Sequence, residues 1–528
     1  YNTVISNNRV TKVVEKQEDG NGGAFRTLGG KVSLYNCNIV NNSAKVSGGG
    51  LYGRFDEVIN TIIYGNRANG EVSNLSNYYY FYDVDMQLLK TWQGLSDLRY
   101  CAVEAGYPGE GNISLNRDYP LSINGNSLTS NSSCINAGTD ALYDLTEYDI
   151  KGKSRVRQGK IDIGAHESDY SKEDIITPDA NNVIYVDVTA KGSKDGSSWD
   201  NAMDNINDAV IVAFNQSGVD SRQVWVAAGT YSGYNNSTRF PMVSGVEVYG
   251  GFAGTETLFS ERDVVNNKTI LDGANSYNVL DKSTDNPATA ENPAIWDGFC
   301  INGYNAVINT HCILRNSEIT VKTEVNGGMV QNCTITNLQS GKNFKVKASS
   351  IVKGCRFFDN SSSSIPLIEL NNAVLDSCFV YDNSATRNLI KSTASNIEKT
   401  HIYKNTSKYS MIDATETNIT NSLIFNNAVN GSVSGFLAVL HAKDNSAIIN
   451  SNLMNNMVTY TGGGDMTKLD NDEEHYWQYK NVIVALESSD MKNSVVWNNA
   501  ISSFDNNFIA KDKNSNVYYC AVDGALYN

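Results

Sequence analysis

The residues that could do acid-base chemistry cluster most tightly in "GKIDIGAHE", residues 159–167, where Asp162, His166 and Glu167 lie close together. A carboxylate beside an imidazole can orient it or exchange a proton with it. In an extended strand, positions 162 and 166 share a face and 167 points the other way, so Asp162 and His166 are the pair that could act together. A closing strand with its polar residues turned outward accounts for the same letters without chemistry. Other charged residues are dispersed. Asp297, in "IWDGFCINGYN", has no second Asp beside it, and Lys353, Arg356, Asp376, Lys399, His401 and Lys404 fall at no recurring position. Catalysis requires groups that converge to within hydrogen-bond reach, so this scatter reads as a solvated face and no catalytic residue is assigned.

Two stretches have a different character. "SNYYYFYDVD" from Ser76 and "LDNDEEHYWQYK" from Leu469 combine aromatic rings with acids. Ring faces stack on sugars and carboxylates bind hydroxyls or calcium, which makes Tyr79, Tyr80, Tyr82, Tyr476 and Trp477 candidate ligand-binding residues. Asp470, Asp472 and Glu473 are the candidate calcium ligands, although "LDNDEEH" lacks the glycine and final glutamate spacing of an EF-hand. The competing reading is that these tyrosines cover a strand or pack a loop. Calcium apart, nothing in the pattern requires a cofactor.

The elements that position these residues are set by repetition. From residue 329 to 499 one phrase recurs: "VQNCTITN", "VKGCRFFDN", "LDSCFVYDN", "IEKTHIYKN", "ITNSLIFNN", "IINSNLMNN" and "MKNSVVWNN". The small residues Cys333, Cys355, Cys378, Thr400, Ser422, Ser451 and Ser494 mark intervals of 22, 23, 22, 22, 29 and 43 residues. A period near 22 with two insertions indicates a solenoid, whose short strands bury their apolar face by stacking coil on coil. The small residue then points inward at a crowded corner, and the terminal Asn takes a left-handed turn and bonds to the Asn of the next coil. Cys333, Cys355 and Cys378 become stacked, buried thiols, because a free cysteine behaves as a small hydrophobe. The nine cysteines include no CxxC pair, which removes support for zinc and thioredoxin-like sites.

The phrase also occurs as "YNCNIVNN" at Tyr35 and "INTIIYGN" at Ile59, flanked by "NGGAF" and "SGGGLY", with "TGGGDM" at Thr461. Such glycines suit positive φ or close backbone at coil corners. Taken together, these phrases resemble right-handed parallel β-helix proteins of the pectate-lyase-like class. The glycine phrases are similar to those of bacterial polymorphic outer-membrane surface proteins. The resemblance implies an all-β solenoid, an opening phrase in "IYVDVTAKGSKDGSSWDNAMDNINDAV" from Ile184, and a closing phrase in "DIGAHE" from Asp162. In the opening phrase Ala202, Ile206, Ala209 or Val210, and Ala213 or Phe214 recur at helical spacing, which predicts a short amphipathic helix that covers the exposed strand edges at the start of a solenoid.

"LRYCAVEAG" around Cys101 matches "VYYCAVDGA" around Cys520, 419 residues later, so a unit of about 420 residues repeats in tandem. The expected organisation is the C-terminal part of a first β-helix in residues 1–168, a linker in 169–182, and a second β-helix in 183–528 that stops before its closing segment. A net charge of −15 repels phosphate backbones, which argues against nucleic acid, and no apolar run is long enough to span a bilayer. These features suggest a non-catalytic structural or adhesive segment of a large, repetitive, extracellular bacterial surface protein. Its expected partners are glycans or another surface protein, together with neighbouring β-helix repeats of the same chain. The alternative is a polysaccharide lyase or glycoside hydrolase on a β-helix scaffold, as the resemblance implies.

Overall fold

The computed structural model describes residues 1–11, 20–27, 32–76, 78–82, 88–93, 96–115, 120–121, 127–128, 132–141, 147–156, 160–168, 182–216, 222–232, 240–273, 278–283, 286–339, 341–431, 437–460, 481–501, 507–523 and 525–527. Nearly all of its regular structure is strand, and the strands of successive coils pair in parallel and in register. The chain is a right-handed parallel β-helix, the hand that parallel crossovers take. Contacts divide it into two compact units, Tyr1–Arg222 and Gln223–Asn528.

A shorter period within the 22-residue repeat explains the coil. Left-handed backbone occurs at Ala394, Lys399 and Lys404, then at Glu416, Asn421 and Asn426, so three corners stand five residues apart in each coil. Each corner is followed by a small or amide side chain that is buried: Ser395, Thr400 and Asn405, then Thr417, Ser422 and Asn427. Two residues beyond most of these lies another inward residue, as at Ile397, Ile402, Ile419 and Ile424, which keeps the pleat in phase. Three pentads occupy 15 residues. The rest of the coil, here termed the return, leads back to the next first corner. First corners at Ser349, Asn372, Ala394, Glu416, Asn445 and Ser488 are 23, 22, 22, 29 and 43 residues apart, leaving returns of 8, 7, 7, 14 and 28. Length therefore varies only in the return of these coils.

Each corner builds a polar ladder along the coils. At the second corner the Cys333 N–H donates to Cys355 Sγ at 3.4 Å, and Thr400, Ser422 and Ser451 donate likewise to the next hydroxyl at 3.1–3.2 Å. Cys333, Cys355 and Cys378 are free, buried thiols, as the spacing predicts. At the third corner Asn360, Asn383, Asn405, Asn427 and Asn456 each donate backbone N–H and side-chain Nδ2 to the Oδ1 of the next asparagine, ending on Asn499. The sequence reading is corrected here. In the first phrase the terminal Asn337 does turn left-handed as expected, but in the later ones the residue that turns is the one before the asparagine, as at Asp359, Asp382 and Lys404, and the laddered asparagine itself does not. Turning the backbone and satisfying it are done by adjacent residues.

The first unit uses the same grammar. Asn36 and Asn60 turn left-handed before Cys37 and Thr61, and Asn42 donates to Asn66. Tyr100 and Tyr519, at φ 51° and 52°, precede Cys101 and Cys520, whose thiols each bond back to the carbonyl two residues earlier. The matched phrases thus adopt one local geometry. Gly23 and Gly49 sit where an added Cβ would lie 2.0 and 2.2 Å from a carbonyl of the next coil, so glycine is required there.

The helix foreseen in the opening phrase is α1, Ile206–Asn215, the one α-helix among the described residues. Asn205 caps it by accepting from the N–H groups of Asn207 and Asp208. It lies beside the strand Val183–Val186 within the first unit. Its predicted stripe of Ile206, Ala209, Val210 and Ala213 is buried, and Ile211 also joins an apolar cluster with Val40, Ile62 and Ile163. No helix among the described residues is long and apolar enough to cross a membrane.

Candidate functional site

Residues 161–168 are not a strand, so the face-sharing argument for Asp162 and His166 does not apply. Nor do their side chains turn outward: Asp162, His166 and Glu167 are all buried. Asp162 accepts from the N–H groups of Asn136 at 2.7 Å and Ser168 at 2.7 Å. Glu167 pairs with the wholly buried Arg155 at 2.9 Å and accepts from the Asp162 N–H. Arg155 also donates to the carbonyls of Gly164 and Ala165 and to Asn2. Asp149 ties the hairpin before this segment to it through the N–H groups of Lys151, Lys153 and Glu167.

Electrostatics follow from this burial. Burial, with the neighbouring Asp162, pushes the Glu167 carboxyl up to about 8 against the pull of Arg155. Burial raises Asp162 as well. His166 is held down to about 4 by burial and by Lys151, and neither ring nitrogen has a hydrogen-bond partner. A buried imidazole held neutral, with no bond to a described residue, forms no acid-base dyad with Asp162 in this geometry. The carboxylates of this cluster are engaged in backbone and arginine bonds.

The second convergent set was only half legible. Asp297 is buried, and its carboxylate receives Arg262 Nη2 at 2.6 Å, Arg315 Nε at 2.5 Å, and Asn316 Nδ2 at 3.1 and 3.0 Å. In register with it stand Tyr249 on one coil and Arg315 on the next, and the Tyr249 hydroxyl donates to Glu247 at 2.6 Å. Arg262 comes from the loop after Phe252 and lies over the rings of Tyr249 and Phe259. Its separation of 35 residues from Asp297 carries no sequence signal, whereas Arg315 is 18 residues on, one short coil. Asp297 is saturated by donors, so it acts as a lock for the loop and not as a base.

The dispersed charges remain dispersed. Lys353 and Asp376 pair at 3.2 Å in one outer column, Arg356 and His401 lie in another, and Lys399 and Lys404 occupy corners. One outer column, Glu324, Lys345, Glu369, Lys391 and Asp413, alternates in sign coil by coil and continues to His441, whose Nε2 lies 2.8 Å from Glu487. That order fixes register by pairing neighbours.

Tyr79, Tyr80 and Tyr82 lie on the strand Tyr78–Tyr82, which pairs antiparallel with Leu88–Gln93, and their side chains lie outside the described residues. Tyr476, Trp477, Asp470, Asp472 and Glu473 lie wholly outside them. The insertion at 461–480 enters the return, between the third corner at Asn455 and the first corner at Ser488, and residues 77–95 fall between Ser76 and the corner at Tyr100. Among the described residues no group of three or more His, Cys, Asp or Glu could hold a metal ion.

No family model matches the chain, and neither does any curated protein. Solved structures that align with it include the A-module of the Azotobacter vinelandii mannuronan C-5 epimerase AlgE6, at 11% identity over 60% of this chain and 95% of that one, with a TM-score of 0.31. The pectate lyase Pel9A aligns at 11% identity over 65% of this chain and 81% of that one, with a TM-score of 0.24. The catalytic unit of a thermostable GH87 α-1,3-glucanase from Streptomyces thermodiastaticus strain HF3-3 aligns at 11% identity over 61% and 67%, also with a TM-score of 0.24. Scores at this level assign no activity to the chain.

Proposed function

We propose that this chain is a non-catalytic segment of an extracellular bacterial surface protein, in which stiff β-helical units carry binding loops directed at glycans. The observation that carries the proposal is the confinement of length variation to the return. Pentads, ladders and corners repeat unchanged while returns grow from 7 to 28 residues, which is how a scaffold accommodates loops without disturbing its core. The aromatic and acidic letters that suit sugars and calcium lie in two insertions, of which 461–480 enters a return. The convergent charged clusters support the same reading, because Asp297 and Glu167 are engaged in structural bonds.

One observation favours the alternative, a polysaccharide lyase or glycoside hydrolase. The Arg315 side chain is a third exposed on the outer wall, and its two Nη groups make no hydrogen bond to a described residue. The test is incubation with acidic polysaccharides, read as the ultraviolet absorbance of unsaturated uronates, alongside a reducing-sugar assay. The proposal expects neither signal. Product formed by the parent chain and abolished by Arg315→Ala would overturn it. Glycan-array binding should be lost when Tyr79, Tyr80, Tyr476 and Trp477 are replaced by Ala, and binding that survives would dispose of the loop site.

A further inference from the structure

The described wall of the second unit carries an apolar strip that the loop reading does not use. It lies on the outer face of the sheet whose strands run from Arg356–Phe358 to Val495–Trp497, six successive coils. One outward column is Phe358, Tyr381, Tyr403, Phe425, Met454 and Trp497. The rings of Phe358, Tyr381, Tyr403 and Phe425 stack with centroids 4.9–5.2 Å apart and planes within 15°, so they cover each other's faces and turn their edges to solvent. Outside this stack, Phe379 in the neighbouring column is 38% exposed and meets the His401 ring edge-on with centroids 5.1 Å apart, and Trp497 at the end of the strip is 53% exposed.

The strip is narrow and its ring column carries no charge; its edges are charged at Asp359, Asp382, Lys399 and Lys404 in the first three coils and lined with amides in the last three. Its second column carries Phe379, His401 and Leu423 after a single charge at Arg356. In the last three coils the corners on both sides are exposed asparagines: Asn421, Asn450 and Asn493 on one, Asn426, Asn455 and Asn498 on the other. The hydroxyls of Tyr381 and Tyr403 bond to no described residue. Strands about 4.8 Å apart, each presenting two side chains, give a surface roughly 25–30 Å long and about 10 Å wide, on the order of 300 Å². A standard protein interface takes about 800 Å² from each partner, so the strip is too small for a second copy or a folded protein. A single extended chain fits its length and width.

We propose that this strip binds a linear, neutral polysaccharide laid along the β-helix axis, with sugar rings against Trp497, Phe379 and the ring edges, and hydroxyls met by the tyrosines and corner asparagines. The net charge of −15 disfavours an acidic polymer. The site shares its ligand class with the proposed function but lies apart from the loops, so the two can fail separately. The experiment is affinity electrophoresis of the full chain in native gels cast with soluble xylan, mannan or mixed-linkage β-glucan, with polygalacturonate as the acidic control. At least one neutral polymer should retard the chain and polygalacturonate should not. Trp497→Ser, at an exposed position, should weaken retardation by about two- to tenfold. Tyr381→Phe with Tyr403→Phe keeps the ring stack and removes only hydroxyls, and should weaken it by a similar factor; removal of residues 461–480 should leave it intact. Equal retardation of all wall variants overturns the strip, as does the absence of retardation by every neutral polymer. Retardation lost only with the loops overturns the strip and leaves the loop site standing. Sedimentation showing self-association that Trp497→Ser abolishes would replace the polysaccharide with a second copy.

Discussion

Replacing Glu167 by Gln should convert a stability plateau of the first unit into a slope. Glu167 is raised from 4.5 to about 8 in the folded chain, so folding favours its protonated form. Its contribution is complete below pH 4.5 and is lost as pH rises towards 8. His166 is lowered from 6.5 to about 4, so folding favours the neutral ring, and its contribution is complete above pH 6.5 and lost as pH falls towards 4. Each limb has a slope of about 1.4 kcal/mol per pH unit. Between pH 4.5 and 6.5 the slopes oppose and cancel. Above 6.5, of these two groups only Glu167 still titrates, giving a loss of about 2 kcal/mol by pH 8; the raised Asp162 adds a fall that starts near pH 3.8 and tilts the plateau downward in Glu167→Gln and His166→Gln alike. Glu167→Gln removes the alkaline limb, so stability should now rise with pH from 4.5 to 6.5 and then level off. His166→Gln should do the opposite, leaving a fall from about 4.5 to 8. Pulse proteolysis in urea across pH 4–9, following cleavage within residues 147–168 of the full chain, measures both profiles. An alkaline limb that persists in Glu167→Gln would refute the assignment of a buried, solvent-excluded carboxyl at this position.

Asn405→Ala removes five hydrogen bonds in mid-ladder, whereas Asn499→Ala removes three at its end. At about 0.5–1.5 kcal/mol each, the first should cost roughly 3–5 kcal/mol and the second about half of that in denaturant melts, and equal costs would show that the ladder is not the tie between coils. Asp297→Ala strands the largely buried Arg262 and should lower stability by about 3–5 kcal/mol, with Arg315→Ala costing less because that side chain is partly exposed. Cys355→Ser should cost less than about 1.5 kcal/mol, because serine fills the same ladder position at Ser422 and Ser451, while Cys355→Leu should disrupt the coil by overpacking. Iodoacetamide on the native chain should label the half-buried Cys300 and Cys520 and spare Cys333, Cys355 and Cys378, as mass spectrometry would show.

What could be read from the letters depended on whether the same letter had to recur. The small residue at the second corner is constrained by the coil above and the coil below, so Cys, Thr and Ser repeat there and the period is visible. Three stacked thiols could be inferred from three spacings. The left-handed corner before each ladder residue has no such neighbour constraint, and Asp359, Ser377, Lys399, Lys404 and Glu416 all occupy it. The pentad was therefore hidden inside the 22-residue period, and the terminal asparagine was credited with a turn that the residue before it makes. The charged clusters were obscured for another reason. Asp162 and Glu167 are neighbours in sequence, but their burial depends on Arg155 and on Asn2, the latter joined to Arg155 across 153 residues, and no local pattern records such a contact. Asp297 was visible as a lone acid, but the guanidinium that reaches it from position 262 arrives on an irregular loop with no periodicity to betray it. The ring that recurs every 22 or 23 residues at Phe358, Tyr381, Tyr403 and Phe425 drew no reading from the sequence, because the period was marked by the small residue and the asparagine. From Phe358 to Trp497 no charge interrupts six coils; the column Ser361, Ser384, Thr406, Ala428, Met457 and Ala500 is uncharged over the same coils, but only the first is lined with rings. Stacked rings shield one another's faces, so such a column tolerates solvent without charge, and the exposed Trp497 at its end is where a ligand would gain most from ring contact.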